Sequence, residues 1–177
     1  CVPATRFDYV VDHPRYEYDP FCPPNAPIGT VEHAIGLNAS ALIRDGGTLQ
    51  LGIGELSDAV VYALTLRQQR NDAWRAALAA TGTDGRFGAE IDAIGGRAPL
   101  DRGLYACTEL FVDGFLDLYR AGILKRPVYP HARLQRLLDD GELSERPDAD
   151  WLATLARDGL ERLDDREFAA LARCGAF

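Results

Sequence analysis

A glycine-rich junction is the first place where this chain could do chemistry. Residues 45–60 read Asp-Gly-Gly-Thr-Leu-Gln-Leu-Gly-Ile-Gly-Glu-Leu-Ser-Asp-Ala-Val, a pattern typical of a helix end, a buried strand, a turn and a helix start. Glycine permits a sharp turn and a close approach of a ligand to the backbone. Amide N–H groups at a helix N-terminus can stabilise an oxyanion. Gly52, Ile53 and Gly54 are therefore candidate oxyanion donors, and the alternative is a simple tight turn.

A carboxylate stands at a second junction of the same kind. Residues 105–114 read Tyr-Ala-Cys-Thr-Glu-Leu-Phe-Val-Asp-Gly, which predicts that Glu109 lies where a short strand passes into a helix. A carboxylate there could attack an activated acyl group and form an anhydride. It could also do no more than stabilise the helix N-terminus. Gln50, a polar amide in an apolar strand, needs a partner if it is buried, either in the backbone or at the Glu109 turn.

Other chemistries find little support in the residues. The three histidines are scattered, so Ser-His-Asp or Cys-His catalysis is unsupported, and Cys107 is expected to be a small buried hydrophobe. The four cysteines form no Cys-x-x-Cys pair, which indicates reduced thiols in a cytosolic protein and no metal site. The third glycine of a dinucleotide fingerprint would fall at Ser57, and no Gly-Lys-Ser/Thr follows the glycines.

Composition excludes several classes of partner. The 177 residues carry a net charge of -8, which argues against binding to nucleic acid or an anionic membrane surface. No apolar run approaches the roughly 20 residues that a membrane helix needs. The chain contains no methionine and opens on a strand-like segment. We therefore expect a fragment of a longer protein, with part of any active site outside it.

The elements that must position these residues follow from periodicity and turn signals. A proline-rich extended loop is expected over residues 12–27, a charged break over 67–70, and a lid-like loop with one short helix over 81–102. The helix after the glycine turn is expected to begin at Ser57 or Asp58. Strands are predicted at 7–11, 48–53 and 103–107, and helices from Thr30 to 44, from 57 to 66, and at 71–80, 109–121, 131–140, 149–158 and 164–173. This order predicts an α/β fold.

Two motifs together resemble the acetyl-CoA hydrolase/transferase family, which includes 4-hydroxybutyrate CoA-transferases. The first is Gln-Leu-Gly-Ile-Gly at 50–54, followed by Asp-Ala-Val at 58–60, and the second is Thr-Glu-Leu at 108–110, followed by Asp-Gly at 113–114. Residues 7–11 are similar to the strand that opens the catalytic half in that family, and Gly-Ile-Leu at 122–124 is similar to a further block. The resemblance covers residues 7–130, and the tail looks more like a longer branch of the family.

The resemblance implies a fold, a domain organisation and a reaction. It implies an α/β mixed sheet with flanking helices over residues 1–130, an insertion at about 67–102, and a mostly helical extension over 131–177. Glu109 would attack an acyl-CoA thioester, the glycine turn would stabilise the oxyanion, and Gln50 would support the site. CoA would then return to form a glutamyl-CoA thioester, which a small carboxylate resolves. Coenzyme A would be a substrate and no cofactor would be permanently bound, in a cytoplasmic protein that we expect to be a homo-oligomer at full length.

Departures from the family pattern concern acyl specificity more than chemistry. Ser57 stands where short-branch members have Pro, Cys107 where they often have His, and Leu110 where Met is usual. Two other readings stay open. One is a catalytically silent relative that binds CoA esters or serves oligomerisation. The other is a sugar-phosphate or nucleotide enzyme, which would need a basic clamp that neither motif contains.

Overall fold

The computed structural model describes residues 3–18, 26–144, 148, 150–157 and 164–173. Two short 3₁₀ turns lie in the N-terminal segment, at Ala4–Arg6 and Pro14–Tyr16. The helices and strands of the described residues are α1 Thr30–Leu42, β1 Thr48–Gln50, α2 Glu55–Gln69, α3 Asn71–Ala80, α4 Thr83–Ile94, β2 Tyr105–Cys107, α5 Asp113–Arg120, α6 Ala132–Asp139, α7 Asp150–Leu155 and α8 Asp165–Arg173.

The two strands lie side by side and run parallel. Their register pairs Thr48 with Tyr105 and Gln50 with Cys107, and beyond β2 an isolated parallel bridge joins Leu104 to Leu124. The predicted combination of strands and helices is confirmed. In the described part of the chain the sheet is two-stranded and parallel, so the expected mixed sheet is not seen there. Both strands are also shorter than predicted, and alternate residues of each are exposed rather than buried.

The carboxylate of Asp45 aligns the two strands at their starts. Its side-chain oxygens accept hydrogen bonds from the backbone N–H groups of Asp101, Arg102 and Gly103 at 2.9–3.0 Å. The N–H of Gly46 also donates to the carbonyl of Gly103 at 3.0 Å. An Asp before a turn readily accepts from nearby backbone donors. Here those donors lie more than fifty residues away, so one short loop fixes where β2 begins relative to β1.

Three apolar clusters form the interior of the part of the chain that the structure describes. The first lies between the sheet, α2 and α5, and contains the buried residues Leu51, Val61, Leu64, Leu100, Leu104, Phe115, Leu118 and Ile123. The second joins α1, α3 and α4 through Leu37, Ala41, Trp74, Leu78 and Ile91. The third belongs to the C-terminal helices, with Leu134, Leu137, Leu138, Leu143, Trp151 and Leu155. The glycine turn and the Glu109 loop both lie next to the first cluster, which fixes the elements that carry them.

Arg67 is the largest departure from the predicted elements. Residues 67–70 were expected to form a charged break, but α2 continues to Gln69 and Arg67 is 1% exposed. Its guanidinium donates four hydrogen bonds of 2.8–2.9 Å, to the carbonyls of Ser40, Ile43, Gly95 and Ala98. Burial lowers the pKa of Arg67, and the charge of Asp45 opposes that shift. The buried cation thus satisfies carbonyls in the last turn of α1 and in the residues that follow α1 and α4.

The segment predicted as a lid-like loop is a helix packed against the body. α4 crosses residues 83–94 with its buried Ile91 in the second cluster. An ion pair between Arg97 and Asp84 links its first turn to the residues that follow it. This packing outweighs the cost of the two glycines inside the helix, since tertiary contacts commonly override helix propensity. The helix predicted at 71–80 is confirmed by α3.

Some predicted boundaries are wrong at the N-terminus and at both junctions. Residues 7–11 form no strand and their side chains are exposed, and residues 19–25 of the proline-rich loop lie outside the described part. α2 begins at Glu55 because Gly54 has a φ of 108° and ends the extended backbone there. α5 begins at Asp113, four residues after Glu109, with extended Val112 as its N-cap.

Close approach of α1 to α2 depends on Gly36. A β-carbon placed there would lie 2.5 Å from the backbone carbonyl carbon and oxygen of Ala59, which forces one helix to move. We expect Gly36→Ala to lower the free energy of unfolding by about 1–3 kcal/mol, the usual cost of overpacking. Gly85→Ala is the matched control, because nothing lies within 4 Å of a β-carbon there and alanine favours a helix. Urea denaturation of both variants would measure the difference, and equal destabilisation would contradict this packing.

Candidate active site

The parallel register brings the two junctions to one edge of the sheet. Gln50 and Cys107 are register partners at the carboxyl ends of their strands, and the N–H of Leu51 donates to the carbonyl of Cys107 at 3.2 Å. Gly52 and Glu109 each follow two residues later. In open α/β sheets the carboxyl edge is where ligands commonly bind. The two motifs that the sequence singles out therefore lie beside each other in space.

The glycine turn carries backbone donors that find no acceptor in the described part of the chain. The N–H groups of Ser57 and Asp58 donate to the carbonyl of Gly54 at 3.0 and 3.1 Å, which closes the first turn of α2. Among the described residues, no carbonyl or side chain accepts from the N–H of Ile53 or Gly54. Unpaired donors at the start of a helix favour negative charge. The turn can therefore stabilise an oxyanion, although its geometry alone does not require that role.

Glu109 lies in the exposed loop of residues 108–112 rather than at a helix start. The Thr108 hydroxyl donates to the carbonyl of Leu110 at 2.8 Å, which shapes the loop around the carboxylate. No described residue forms a hydrogen bond or an ion pair with the Glu109 side chain. The alternative role at the helix N-terminus falls to Asp113, which occupies the first turn of α5. Within the described part of the chain, the carboxylate of Glu109 is therefore exposed and has no bonded partner.

Gln50 and Cys107 are both more exposed than their sequence context predicts. The Gln50 side chain is exposed, and within the described part of the chain neither of its two predicted bonding partners is observed. Cys107 is a free and exposed thiol, so the prediction of a buried hydrophobe is wrong at that position. Both side chains project from the strands at the same register position. The other three cysteines lie outside the described residues.

A cleft of about 790 Å³ opens between α2 and α5 next to the glycine turn. Of the predicted site residues, Ile53 and Gly54 line this cleft, whereas Gln50, Gly52 and Glu109 do not. The other lining residues are Ala26, Pro27, Ile28, Asp58, Val61, Tyr62, Thr65, Gln69, Phe111, Val112, Asp113, Gly114, Asp117, Arg120 and Ala121. The cleft residues Asp58, Tyr62 and Asp117 were not predicted. A carboxylate in the first turn of each helix that follows a strand was the signal that could have found Asp58 and Asp113.

Asp58 is electrostatically strained in this cleft. Partial burial raises its pKa, and the neighbouring charge of Asp113 raises it further. The folded protein therefore holds a proton on Asp58 more tightly than the unfolded chain does. Ionisation of Asp58 then opposes folding, and this penalty develops as the pH rises through the unfolded value near 3.8 and is complete above the folded pKa.

We expect Asp58→Asn to stabilise the protein at pH 7 by less than about 1 kcal/mol, because solvent screens the open cleft. The gain in stability should vanish at pH 3.

Asp139→Asn should have the opposite effect and lower the stability at pH 7. Burial alone would raise the pKa of Asp139, but hydrogen bonds from Arg126 and Gln135 and the charges of Arg126 and Arg102 lower it overall. The ionised Asp139 carboxylate therefore stabilises the folded protein above pH 3.8, and this stabilisation is lost as the carboxylate is protonated at lower pH. Urea titrations at both pH values would check the two signs, and equal signs would contradict them.

The described part of the chain offers no sign of a metal centre or a membrane span. No group of three or more His, Cys, Asp or Glu side chains in it is arranged to hold a metal ion. None of its helices is both long enough and apolar enough to cross a bilayer.

Comparison with known proteins gives one partial similarity. The chain is 47% identical over 70 residues to the 4-hydroxybutyrate coenzyme A transferase of Clostridium kluyveri. The matched region is 38% of this chain and only 15% of that enzyme. No protein-family model matches the chain, and no solved structure matches it either. A part of the chain is therefore similar to a coenzyme A transferase, and the match spans a small fraction of that relative's length.

Proposed function

We propose that this chain carries catalytic elements of an acyl-CoA transferase, with Glu109 as the nucleophile and the Gly52–Gly54 turn as the oxyanion site. The observation that carries the proposal is the parallel register, which places both junctions at one edge of the sheet. The partial similarity to a coenzyme A transferase supports it. In this proposal residues 1–130, with the insertion at about 67–102, form the transferase-like segment. Residues 131–177 are a helical extension within a longer, cytoplasmic and homo-oligomeric protein of the longer family branch.

The reaction divides into two exchanges at the Glu109 carboxylate. The carboxylate attacks the thioester carbonyl, and the N–H groups of Ile53 and Gly54 stabilise the oxyanion that forms. Collapse breaks the carbon–sulfur bond, releases CoA thiolate and leaves a glutamyl–acyl anhydride. The thiolate then attacks the glutamyl carbonyl and expels the acyl carboxylate. An acceptor carboxylate attacks the resulting glutamyl-CoA thioester, expels CoA thiolate and forms a second anhydride. The thiolate then attacks the acceptor's acyl carbonyl of this anhydride, which gives the new acyl-CoA and releases the Glu109 carboxylate.

The same intermediates would give hydrolysis if water reached them. Water attack on the anhydride or on the glutamyl-CoA thioester releases a carboxylic acid and free CoA, and Glu109 is regenerated. Transferase and hydrolase therefore share the residues and differ in how well the site excludes water. Coenzyme A is a substrate in both cases, and no permanently bound cofactor takes part.

The exposed position of Glu109 favours a second candidate. Glu109 does not line the cleft beside the glycine turn. This position is expected in a catalytically silent relative that binds CoA esters or supports oligomerisation. In that case the glycine turn and the cleft would bind a thioester without turnover. Acyl-CoA binding without any exchange of CoA would favour this candidate over the transferase.

The experiment that tests the proposal is an exchange assay with two readouts. The protein is incubated with acetyl-CoA and labelled butyrate, butyryl-CoA is measured by chromatography, and free CoA is measured with a thiol reagent. Transfer gives butyryl-CoA without free CoA, and hydrolysis gives free CoA. If the protein binds acetyl-CoA but forms neither butyryl-CoA nor free CoA, the transferase proposal is wrong and the catalytically silent relative takes its place.

A further inference from the structure

The cleft between α2 and α5 has walls of unusual charge for a protein that handles CoA. Among the described residues that line it, three carry carboxylates, Asp58, Asp113 and Asp117, and one is basic, Arg120. Arg120 lies 3.7 Å from Asp117, so one negative charge is offset within the cleft. Among the described residues, neither Asp58 nor Asp113 has an ion-pair partner. The cleft therefore keeps two uncompensated carboxylates and would repel the phosphates of CoA.

Aromatic rings stand on the same walls as the two carboxylates. Tyr62 of α2 and Phe111 of the loop before α5 both line the cleft, and both rings are more than half exposed. The Tyr62 ring makes an edge contact with the His33 ring, with 5.0 Å between the ring centroids. The Phe111 ring packs against the Phe115 ring, with 5.9 Å between the centroids. These contacts hold each ring in place while leaving it accessible. Aromatic rings combined with carboxylates are the chemistry that binds organic cations.

One further polar atom in the wall lacks a partner. The hydroxyl oxygen of Thr65 is buried and forms no hydrogen bond with any described residue, and Thr65 lies one turn after Tyr62 along the cleft. A buried hydroxyl without a partner normally calls for an explanation such as a bound water or ligand. The cleft thus combines negative charge and aromatic rings within one cavity, and the Thr65 hydroxyl lies buried behind its wall.

From the cavity, its unpaired carboxylates and its aromatic rings, we propose that this cleft binds an organic ammonium group. The identity of the ligand rests on the proposed transferase function. If that function holds, the ammonium group is the far end of the acyl chain or of the acceptor acid. Substrates that end in an ammonium group are then favoured, and those that end in a second carboxylate are rejected by like charges. The nucleotide part of CoA lies elsewhere.

Binding of a small probe tests the site without any need for turnover. Choline and its uncharged isostere 3,3-dimethylbutan-1-ol are titrated into the protein, and binding is followed by calorimetry and by shifts of backbone amide resonances. We expect choline to bind at least about tenfold more tightly than the isostere, which corresponds to about 1.4 kcal/mol. The shifts should centre on α2 and on residues 111–114. Equal affinities, or no choline binding at millimolar concentration, would overturn the proposal.

Variants locate the effect in the cleft. Asp58→Asn combined with Asp113→Asn removes both unpaired charges and should weaken choline binding at least about tenfold. Asp101→Asn changes an exposed carboxylate outside the cleft and should leave it unchanged. Unchanged choline binding in the double variant would overturn the proposal. Circular dichroism identifies folded variants, and either single variant replaces the double one if that does not fold.

The fate of this proposal and that of the transferase can be told apart. The exchange assay is repeated with labelled 4-trimethylammoniobutyrate, butyrate and succinate as acceptors. Choline binding without any CoA exchange would support the cation site and exclude the transferase proposal. Exchange with butyrate but no choline binding would support the transferase and exclude the cation site. If both proposals hold, the cationic acceptor is used best and succinate worst, by at least about tenfold at each step.

Discussion

Glu109→Gln is expected to reduce acyl transfer by about 10⁴-fold or more, with the fold unchanged. The amide is nearly isosteric but cannot form the anhydride, so the covalent route through the side chain is lost. Removal of a nucleophile from a covalent enzyme commonly has effects of this size or larger. The Glu109 side chain has no bonded partner in the described residues, so its replacement should cost little stability. Steady-state rates of butyryl-CoA formation, with denaturation midpoints of the same samples, measure both quantities.

Glu90→Gln is the matched control for that experiment. Glu90 is exposed on α4, away from both sheet junctions, and its replacement should leave the rate within about twofold, since surface changes away from special features have small effects. A Glu109→Gln protein that retains full activity would exclude the covalent mechanism. A loss of activity that parallels a loss of folded protein would show that Glu109 acts through structure instead.

Arg67→Met is expected to lower the free energy of unfolding by about 3–5 kcal/mol. The guanidinium is buried, donates to four backbone carbonyls and lies over the Trp74 ring at 5.1 Å. Methionine fills part of the volume but leaves those carbonyls without donors, and each buried group that loses its bond costs about 1–3 kcal/mol. Relaxation and water entry offset part of that sum. Equilibrium denaturation in guanidinium chloride measures the loss.

Two further substitutions keep this prediction testable if Arg67→Met fails to fold. Arg67→Lys retains a cation but cannot reproduce the planar fork of donors, and we expect an intermediate loss. Arg70→Met removes an exposed arginine one turn later and should change stability by less than about 0.5 kcal/mol. Similar stabilities for the lysine variant and the wild type would show that charge alone, rather than the four directed bonds, accounts for the role of Arg67.

The strand–turn–helix units could be predicted because their signals are local. Glycines at 46 and 54 adopt positive φ angles of 74° and 108°, and these turns bound β1 on either side, as the sequence indicates. Apolar periodicity likewise predicted α3, and the start of α6 follows from a local contact, since the N–H of Leu134 donates to Nδ1 of His131 at 3.2 Å. The parallel register that brings the two junctions to one edge of the sheet comes from the structure.

The remaining features depend on contacts that are distant along the chain. Arg67 reads as a surface residue in the sequence, but its four acceptor carbonyls lie 24 to 31 residues away along the chain. The helix α4 contains Gly85 and Gly88, which weaken its local signal, and it is held by packing of Ile91 against α1 and α3. Residues 7–11 have the composition of a strand, but no described strand pairs with them. The repulsion between the carboxylates of Asp58 and Asp113 arises only when α2 and α5 are both in place.

The most direct test of the central claim is to identify the covalent intermediate on Glu109. The protein is incubated with acetyl-CoA without an acceptor, reduced with borohydride and digested with trypsin, and the peptide of residues 103–120 is sequenced by mass spectrometry. We expect the Glu109 side chain to be converted to the alcohol that a glutamyl-CoA thioester yields on reduction. An unmodified Glu109 in a sample that actively exchanges CoA would contradict it.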